Sequence, residues 1–307
     1  MIALNEIASG LRFPEGPVAM PDGSVFVVEI EAGRITRCWG EGKTETVAMT
    51  GGGPNGLAMG PDGKLYCCDN GGFEWAEDQG LLHPSGAAHG WTGGSIQRID
   101  PASGEVETLY THAGDVQLRG PNDLVFDDQG GFWFTDHGKT FPRSRDRVGV
   151  FYAQADGSRI EEAIFPLENP NGIGLSPDGT RLYVAETFTA KLWAFDIVGP
   201  GKVERGPGMR GPEGRFLYGA GGYCWFDSLA VDADGNVCVA TLGNAGISVV
   251  SPDGTLVDFV AMPDPFTTNI CWGGPDLRTA YVTLSGTGRL VSLDWPRPGA
   301  PLHHLNR

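Results

Sequence analysis

The chain has 307 residues, 38 acidic and 22 basic, for a formal net charge of −16. That balance lacks the cationic face that nucleic acid or an anionic membrane surface requires, and no apolar run approaches the roughly 18 residues of a membrane-spanning helix. Gly 48 and Pro 22 are high counts, but these residues fall at turns between short apolar runs, which reads as many hairpins and not as disorder.

Ile2–Ile7 has strand character and no adjacent partner. From Glu15 onward one unit repeats: a polar residue, a short apolar run, a turn of Asp, Gly or Pro, and a second β-rich run. The first unit passes from Glu15 through Val18-Ala-Met-Pro-Asp-Gly to Val28, the second from Asn55 through Leu57-Ala-Met-Gly-Pro-Asp-Gly to Cys68. An insertion, Gly71–Gly93, follows, and Gly94–Ile99 and Val106–Tyr110 then read as third and fourth strands. Asn122 opens the third unit, with further strands at Gly149–Ala153 and Glu162–Phe165, and Asn171 opens the fourth, with one at Lys191–Ile197. A second insertion, Gly199–Phe226, leads into Asp227 and the fifth unit, which Gly246–Val250 and Leu256–Val260 complete. Asn269 opens the sixth, whose third strand, Arg289–Leu293, is followed by Trp295-Pro-Arg-Pro-Gly-Ala-Pro and no fourth strand.

Successive polar positions are 40 to 67 residues apart, and a second set, Glu29, Asp69, Asp136, Thr241 and Thr283, stands fourteen residues after them, with Glu186 at fifteen. Six strand–turn–strand units at such a period predict an all-β fold, a six-bladed β-propeller with four strands per blade. The sixth unit lacks an outer strand and Ile2–Ile7 lacks a home, so the N-terminal strand is expected to close the ring and remove its open edge. The repeats run without a composition break, so residues 1–307 are expected to form a single domain.

Each polar residue should start the innermost strand of its blade, so that Glu15, Asn55, Asn122, Asn171, Asp227 and Asn269 ring one mouth of the channel. Two carboxylates and four amides are oxygen donors suited to a hard divalent cation. Singly, the asparagines are ordinary turn residues; the shared register makes them a site. Ligands lie about 2.0–2.6 Å from such an ion, closer than a six-bladed channel allows around its axis. The ion is therefore expected off the axis, on Glu15, Asp227 and Asn171, leaving Asn55 and Asn269 to substrate or attacking water. The insertions should wall the mouth, with Trp75, Trp91, Tyr223 and Trp225 as apolar surfaces and Arg205, Arg210 or Arg215 to meet a substrate carboxylate. Glu29, Asp69, Asp136 and Glu186 are expected to bond the backbone of a neighbouring blade, with Glu29 or Asp136 as a spare base.

Other chemistries find little support. The six histidines show no HExxH spacing, and Gly206-Pro-Gly-Met-Arg-Gly211 matches a dinucleotide motif without the preceding strand it needs. The six cysteines form no CxxC pair, and four lie in strands as small apolar residues. Met1–Ile7 shows no signal peptide, so a cytoplasmic protein is expected.

Phe13-Pro-Glu-Gly-Pro, Gly120-Pro-Asn-Asp-Leu, Asn169-Pro-Asn-Gly-Ile-Gly-Leu-Ser-Pro-Asp-Gly and Phe226-Asp-Ser-Leu-Ala-Val-Asp resemble the regucalcin–gluconolactonase family of six-bladed propellers, which also includes diisopropyl-fluorophosphatase-like enzymes. The resemblance implies one divalent metal ion (calcium, zinc, manganese or magnesium) on Glu15, Asn171 and Asp227, with Asn122 as a fourth ligand or a substrate contact. It further implies hydrolysis of a sugar-type or other small lactone. Family members often carry an arginine two residues before that asparagine; here Arg119 stands three before Asn122 and is the candidate for that contact. Asp227 is the candidate base for the attacking water. Two alternatives are a phosphotriesterase-like hydrolase with Asp227 as nucleophile and a non-enzymatic binding propeller. The expected partner is a small-molecule lactone, with the chain a monomer or small homo-oligomer.

Overall fold

Six antiparallel sheets surround one channel in this computed structural model, which describes residues 3–206 and 212–307. Their innermost strands are Pro14–Ala19, Pro54–Met59, Pro121–Phe126, Pro170–Leu175, Trp225–Val231 and Thr267–Gly273. These touch in a closed cycle, the last packing against the first. The fold is thus an all-β, six-bladed propeller.

The apolar patterning follows from position in the blade. Val25–Glu29 is buried at all five positions, because a middle strand is covered on both faces by adjoining blades and so reads as a continuous apolar run. The outer strand Leu256–Ala261 is mostly exposed. Each blade-to-blade seam has its own buried cluster. Ile247 and Val249 of the fifth blade meet Ile270 and Trp272 of the sixth, and Cys271 and Tyr281 of the sixth meet Val25 and Val27 of the first.

Closure is by Asn5–Ala8, antiparallel to Arg289–Asp294 with Asn5 opposite Ser292 and Glu6 opposite Val291. The strand starts later than the expected Ile2–Ile7; Ile2 itself lies outside the described residues. Below the channel, residues 296–307 cross the far mouth, held by Arg297 on Asp232 (2.8 Å) and by the Ala300 amide on the Val231 carbonyl (3.0 Å).

The second insertion has a different role from the one expected. Its Arg215–Gly219 is the outer strand of the fourth blade, paired with Lys191–Gly199 beside a short Lys202–Val203. An unpaired blade edge satisfies its backbone groups by taking up this segment. Arg205 and Arg215 consequently bond outer carbonyls, Ala163 at 3.0 Å and Pro252 at 2.8 Å. Arg210 and most of the Gly206–Gly211 motif lie outside the described residues. No helix among the described residues is long and apolar enough to cross a membrane.

Two local devices set the channel's neck. In every blade the first strand carries one extra residue relative to the second, beside the ring position, as between Pro54–Asp69 and Leu57–Cys67. Such a bulge turns a side chain out of the regular alternation and here aims the ring residue at the channel. Close approach of the blades is the second device. A Cβ on Gly56 would lie 2.5 Å from the Asn122 carbonyl oxygen and 2.6 Å from Asp123 Cα. Gly56→Ala must therefore push blades two and three apart, and overpacking of this kind costs about 1–3 kcal/mol. The expected lowering of the denaturation midpoint is checked by chemical unfolding; an unchanged midpoint would show that the neck has slack.

Candidate functional site

Above the neck opens a cavity of about 950 Å³. Glu15, Asn55, Asn122, Asn171 and Asp227 lie on its surface. Asn269 does not. It faces the lower cleft together with Asp123, and its amide donates to Glu15 Oε2 at 2.7 Å while its Oδ1 accepts from the Ile270 amide. The sixth ring position therefore fixes a carboxylate instead of opening onto the cavity.

Glu15 Oε2 also accepts from the Gly16 amide at 2.6 Å. Its Oε1 is buried and has no hydrogen-bond partner, and the same holds for Asn122 Oδ1. Asn171 donates through Nδ2 to Thr187 Oγ1 (3.2 Å) and accepts at Oδ1 from Ser228 (3.3 Å). Burial pushes Glu15 up to about 7, against the stabilising bonds from Asn269 and Gly16. Burial also raises Asp227 well above the usual carboxylate range, and the charge of Glu15 adds to the effect. The same two causes, in that order, lift Asp123 to about 8. The acidic neighbour of Asn122 was missed by the repeat argument, which followed only one position per blade.

Among the described residues no three His, Cys, Asp or Glu side chains form a metal-binding group by themselves. The cavity floor combines carboxylate with amide oxygen, and no lysine or arginine is among its described lining residues.

The carboxylates on the second strands serve the ring from behind. Asp136 accepts from the amides of Arg119 and Gly120 at 2.7 Å each, Asp69 from Gly53 at 3.0 Å, Glu186 from Glu168 at 2.8 Å, and Glu29 from Arg12 at 2.8 Å. Each thus clamps the loop two or three residues ahead of its own blade's ring residue, not the neighbouring blade. Glu29 also binds Arg34 and Thr36, so neither it nor Asp136 stands free as a base.

Three chain segments contribute to the walls, beside Phe13, Phe188 and Phe266 from other loops. The first insertion is a hairpin, Phe73–Asp78 with Leu81–Ala87, that together with the following residues supplies Phe73 and Trp91. Trp225, at the end of the second insertion, lies on the wall with Tyr223 against its edge, 4.7 Å between centroids. Sequence reading missed the third segment, a small hairpin, Thr140–Phe141 with Ser144–Arg145, which lacks the length and alternation of a strand pair. It brings Phe141 to the wall near His137. His137 is held neutral, its pKa drawn down to about 4 chiefly by burial, and its Nδ1 has no partner. Arg119 lies outside the cavity lining; its guanidinium pairs with Asp146 at 3.0 Å and stacks on Trp91, 4.2 Å from the ring centroid.

A buried lysine ties the first insertion to the third blade. Lys139 Nζ donates to Asn70 Oδ1 (2.9 Å) and the Gly72 carbonyl (2.8 Å) and sits 3.6 Å from the Phe73 centroid. Asn70 Oδ1 also accepts from the Gly72 amide at 2.8 Å and the Gly72 carbonyl from the Ala88 amide at 3.3 Å. Lys139→Met should therefore remove one of two donors from each acceptor, at about 1.5–3 kcal/mol per charged hydrogen bond lost. Burial draws the Lys139 pKa from 10.5 down to about 7, opposed by the fields of Asp69, Asp136 and Asp146. Across that window the unfolded chain binds more protons at this site than the folded one, so the group's contribution to stability rises with pH. Denaturation midpoints across that range should rise less steeply in Lys139→Met; identical slopes would contradict the assignment.

Comparison with known proteins bears on the family and the fold. The model of the SMP-30/Gluconolactonase/LRE-like region matches residues 13–286. A gluconolactonase of Zymomonas mobilis subsp. mobilis is 26% identical over 304 residues, covering 91% of this chain and 78% of its own. The diisopropyl-fluorophosphatase of Loligo vulgaris is 29% identical over 194 residues, 60% of each chain. A calcium-binding protein, regucalcin, from Agrobacterium tumefaciens superposes with a TM-score of 0.75 at 18% identity, covering 100% of this chain and 98% of its own; that likeness bears on the fold.

Proposed function

The chain belongs to the SMP-30/gluconolactonase/LRE-like family, and we propose that it hydrolyses a small lactone with the help of one divalent cation on the cavity floor. The observation that carries the cation is the pair of buried oxygens, Glu15 Oε1 and Asn122 Oδ1, that lack any hydrogen-bond partner. A buried polar atom without a partner is costly, and coordination to a cation would relieve that cost. Glu15, Asn122, Asn171 and Asp227 would hold it. Carboxylate and amide oxygens suit calcium, magnesium or manganese better than zinc, which favours imidazole and thiolate.

When bound, the cation supplies Lewis-acid polarisation of the lactone carbonyl and charge for the oxyanion that develops there. The chain's own residues do the rest. Asp227 takes a proton from the attacking water at a carboxylate oxygen, and the ring oxygen leaves as the alcohol of a hydroxy acid. Asn269 holds Glu15 in place by its 2.7 Å bond, and Asn171 is itself fixed by Thr187 and Ser228. Asn55, open to the cavity, is placed to contact the substrate or the water. The aromatic walls exclude bulk solvent and strengthen each of these interactions. All six cysteines are buried and unpaired, which suits a reducing compartment such as the cytoplasm.

The match to the fluorophosphatase supports a second reading, with the same floor acting on a phosphorus ester and Asp227 as nucleophile. Proton release from a lactone panel and fluoride release from diisopropyl fluorophosphate, measured on one preparation, separate the two. Lactone turnover should dominate, and Asp227→Asn should lower kcat by about 10²–10⁴-fold. Fluoride release without any lactone opening would establish the second reading instead.

A further inference from the structure

Resting on the lactonase reading, the cavity wall narrows the substrate class. Phe73, Trp91, Phe141, Phe188, Trp225 and Phe266 line the space above the ring. Phe13 is also on the wall, its centroid 6.1 Å from Phe266 and 5.1 Å from Trp75, which was expected on the wall but lies outside the lining. Polar side chains above the floor are few: Ser85, Thr140, Thr187 and the neutral His137.

No described lining residue carries positive charge. The nearby cations are each engaged elsewhere. Arg119 covers the Trp91 ring and pairs with Asp146, Lys139 is turned onto Asn70 and Gly72, and Arg145 lies on the Phe188 ring at 4.2 Å. A sugar lactone brings several hydroxyls, and each one placed against an aromatic wall forfeits its hydrogen bonds to water. An anionic lactone would find no basic side chain among the described lining residues. An aryl or alkyl substituent, in contrast, loses nothing and gains burial.

We propose that the physiological substrate is an uncharged lactone bearing an aromatic or alkyl substituent, and that Phe141 and Phe188 select for it. Selection lies in the ground-state fit of the substituent, so it acts through KM and not through the chemistry on the floor. Phe188 is 42% exposed, so replacing it leaves the fold intact.

The test compares dihydrocoumarin, glucono-δ-lactone and 6-phosphoglucono-δ-lactone as substrates of the metal-loaded protein. Dihydrocoumarin should have a kcat/KM at least about tenfold above either sugar lactone. Phe188→Ser and Phe141→Ser should each raise its KM several-fold with little change in kcat. Binding to the chelator-treated protein supplies a readout free of turnover, through quenching of tryptophan fluorescence by the lactam isosteres. 3,4-Dihydro-2-quinolone should bind more tightly than glucono-δ-lactam. Faster opening of glucono-δ-lactone, or tighter binding of its lactam, would overturn the substrate class while leaving the lactonase reading in place. Failure to open any lactone would strike the lactonase reading, and the lactam comparison would still decide the preference of the cavity.

Discussion

Glu15 is buried and Asp227 half-buried on the floor of one cavity, Asp123 lies buried beside the ring, and no lysine or arginine is among the described residues lining that floor. Burial raises all three, and the charge of Glu15 adds to the effect at Asp123 and Asp227. In the absence of a cation, such an arrangement works against folding, because charge taken out of water needs a partner. Much of the surrounding architecture reads as a means of tolerating it. Asn269 and the Gly16 amide satisfy one oxygen of Glu15, and the second-strand carboxylates, each bound to backbone amides, hold the incoming loops so that the ring side chains cannot turn away. Glu15 Oε1 and Asn122 Oδ1 remain without a hydrogen-bond partner.

The propeller suits this task because its stability is distributed. Every seam between blades has its own apolar cluster, and the ring is closed by strand pairing between the two ends of the chain. A polar centre can then occupy the axis without interrupting any core. The bulges are the local concession: each gives up regular pairing at one position so that a side chain can face the channel. Walls and floor are separately built. The floor comes from the repeats, whereas much of the wall comes from the insertions and connecting loops, so wall residues can change without moving the ring.

Much of this was legible in the sequence because the floor belongs to the repeat. Glu15, Asn55, Asn122, Asn171 and Asp227 announce themselves by register alone, and the missing outer strand of blade six points to the N-terminal segment. Orientation was not legible. Asn269 occupies the same register as Asn55, yet its extra residue lies just ahead of it, between Thr267 and Asn269, and its amide turns to Glu15. The walls were read half correctly for a related reason. Gly71–Gly93 and Gly199–Phe226 look alike as insertions, but one folds into a hairpin over the cavity while the other is taken up by an open blade edge. That competition is settled by tertiary pairing, which no local pattern records. Phe141 and Phe188 escaped notice because nothing periodic marks them.

The central claim is that the paired carboxylates exist to hold a divalent cation. Calorimetric titration of the chelator-treated protein with calcium, magnesium and manganese, beside Glu15→Gln and Asp227→Asn, addresses it most directly. The account predicts one ion per chain for the unaltered protein and loss of that binding in both variants. Absence of binding, or binding that survives both substitutions, would contradict it.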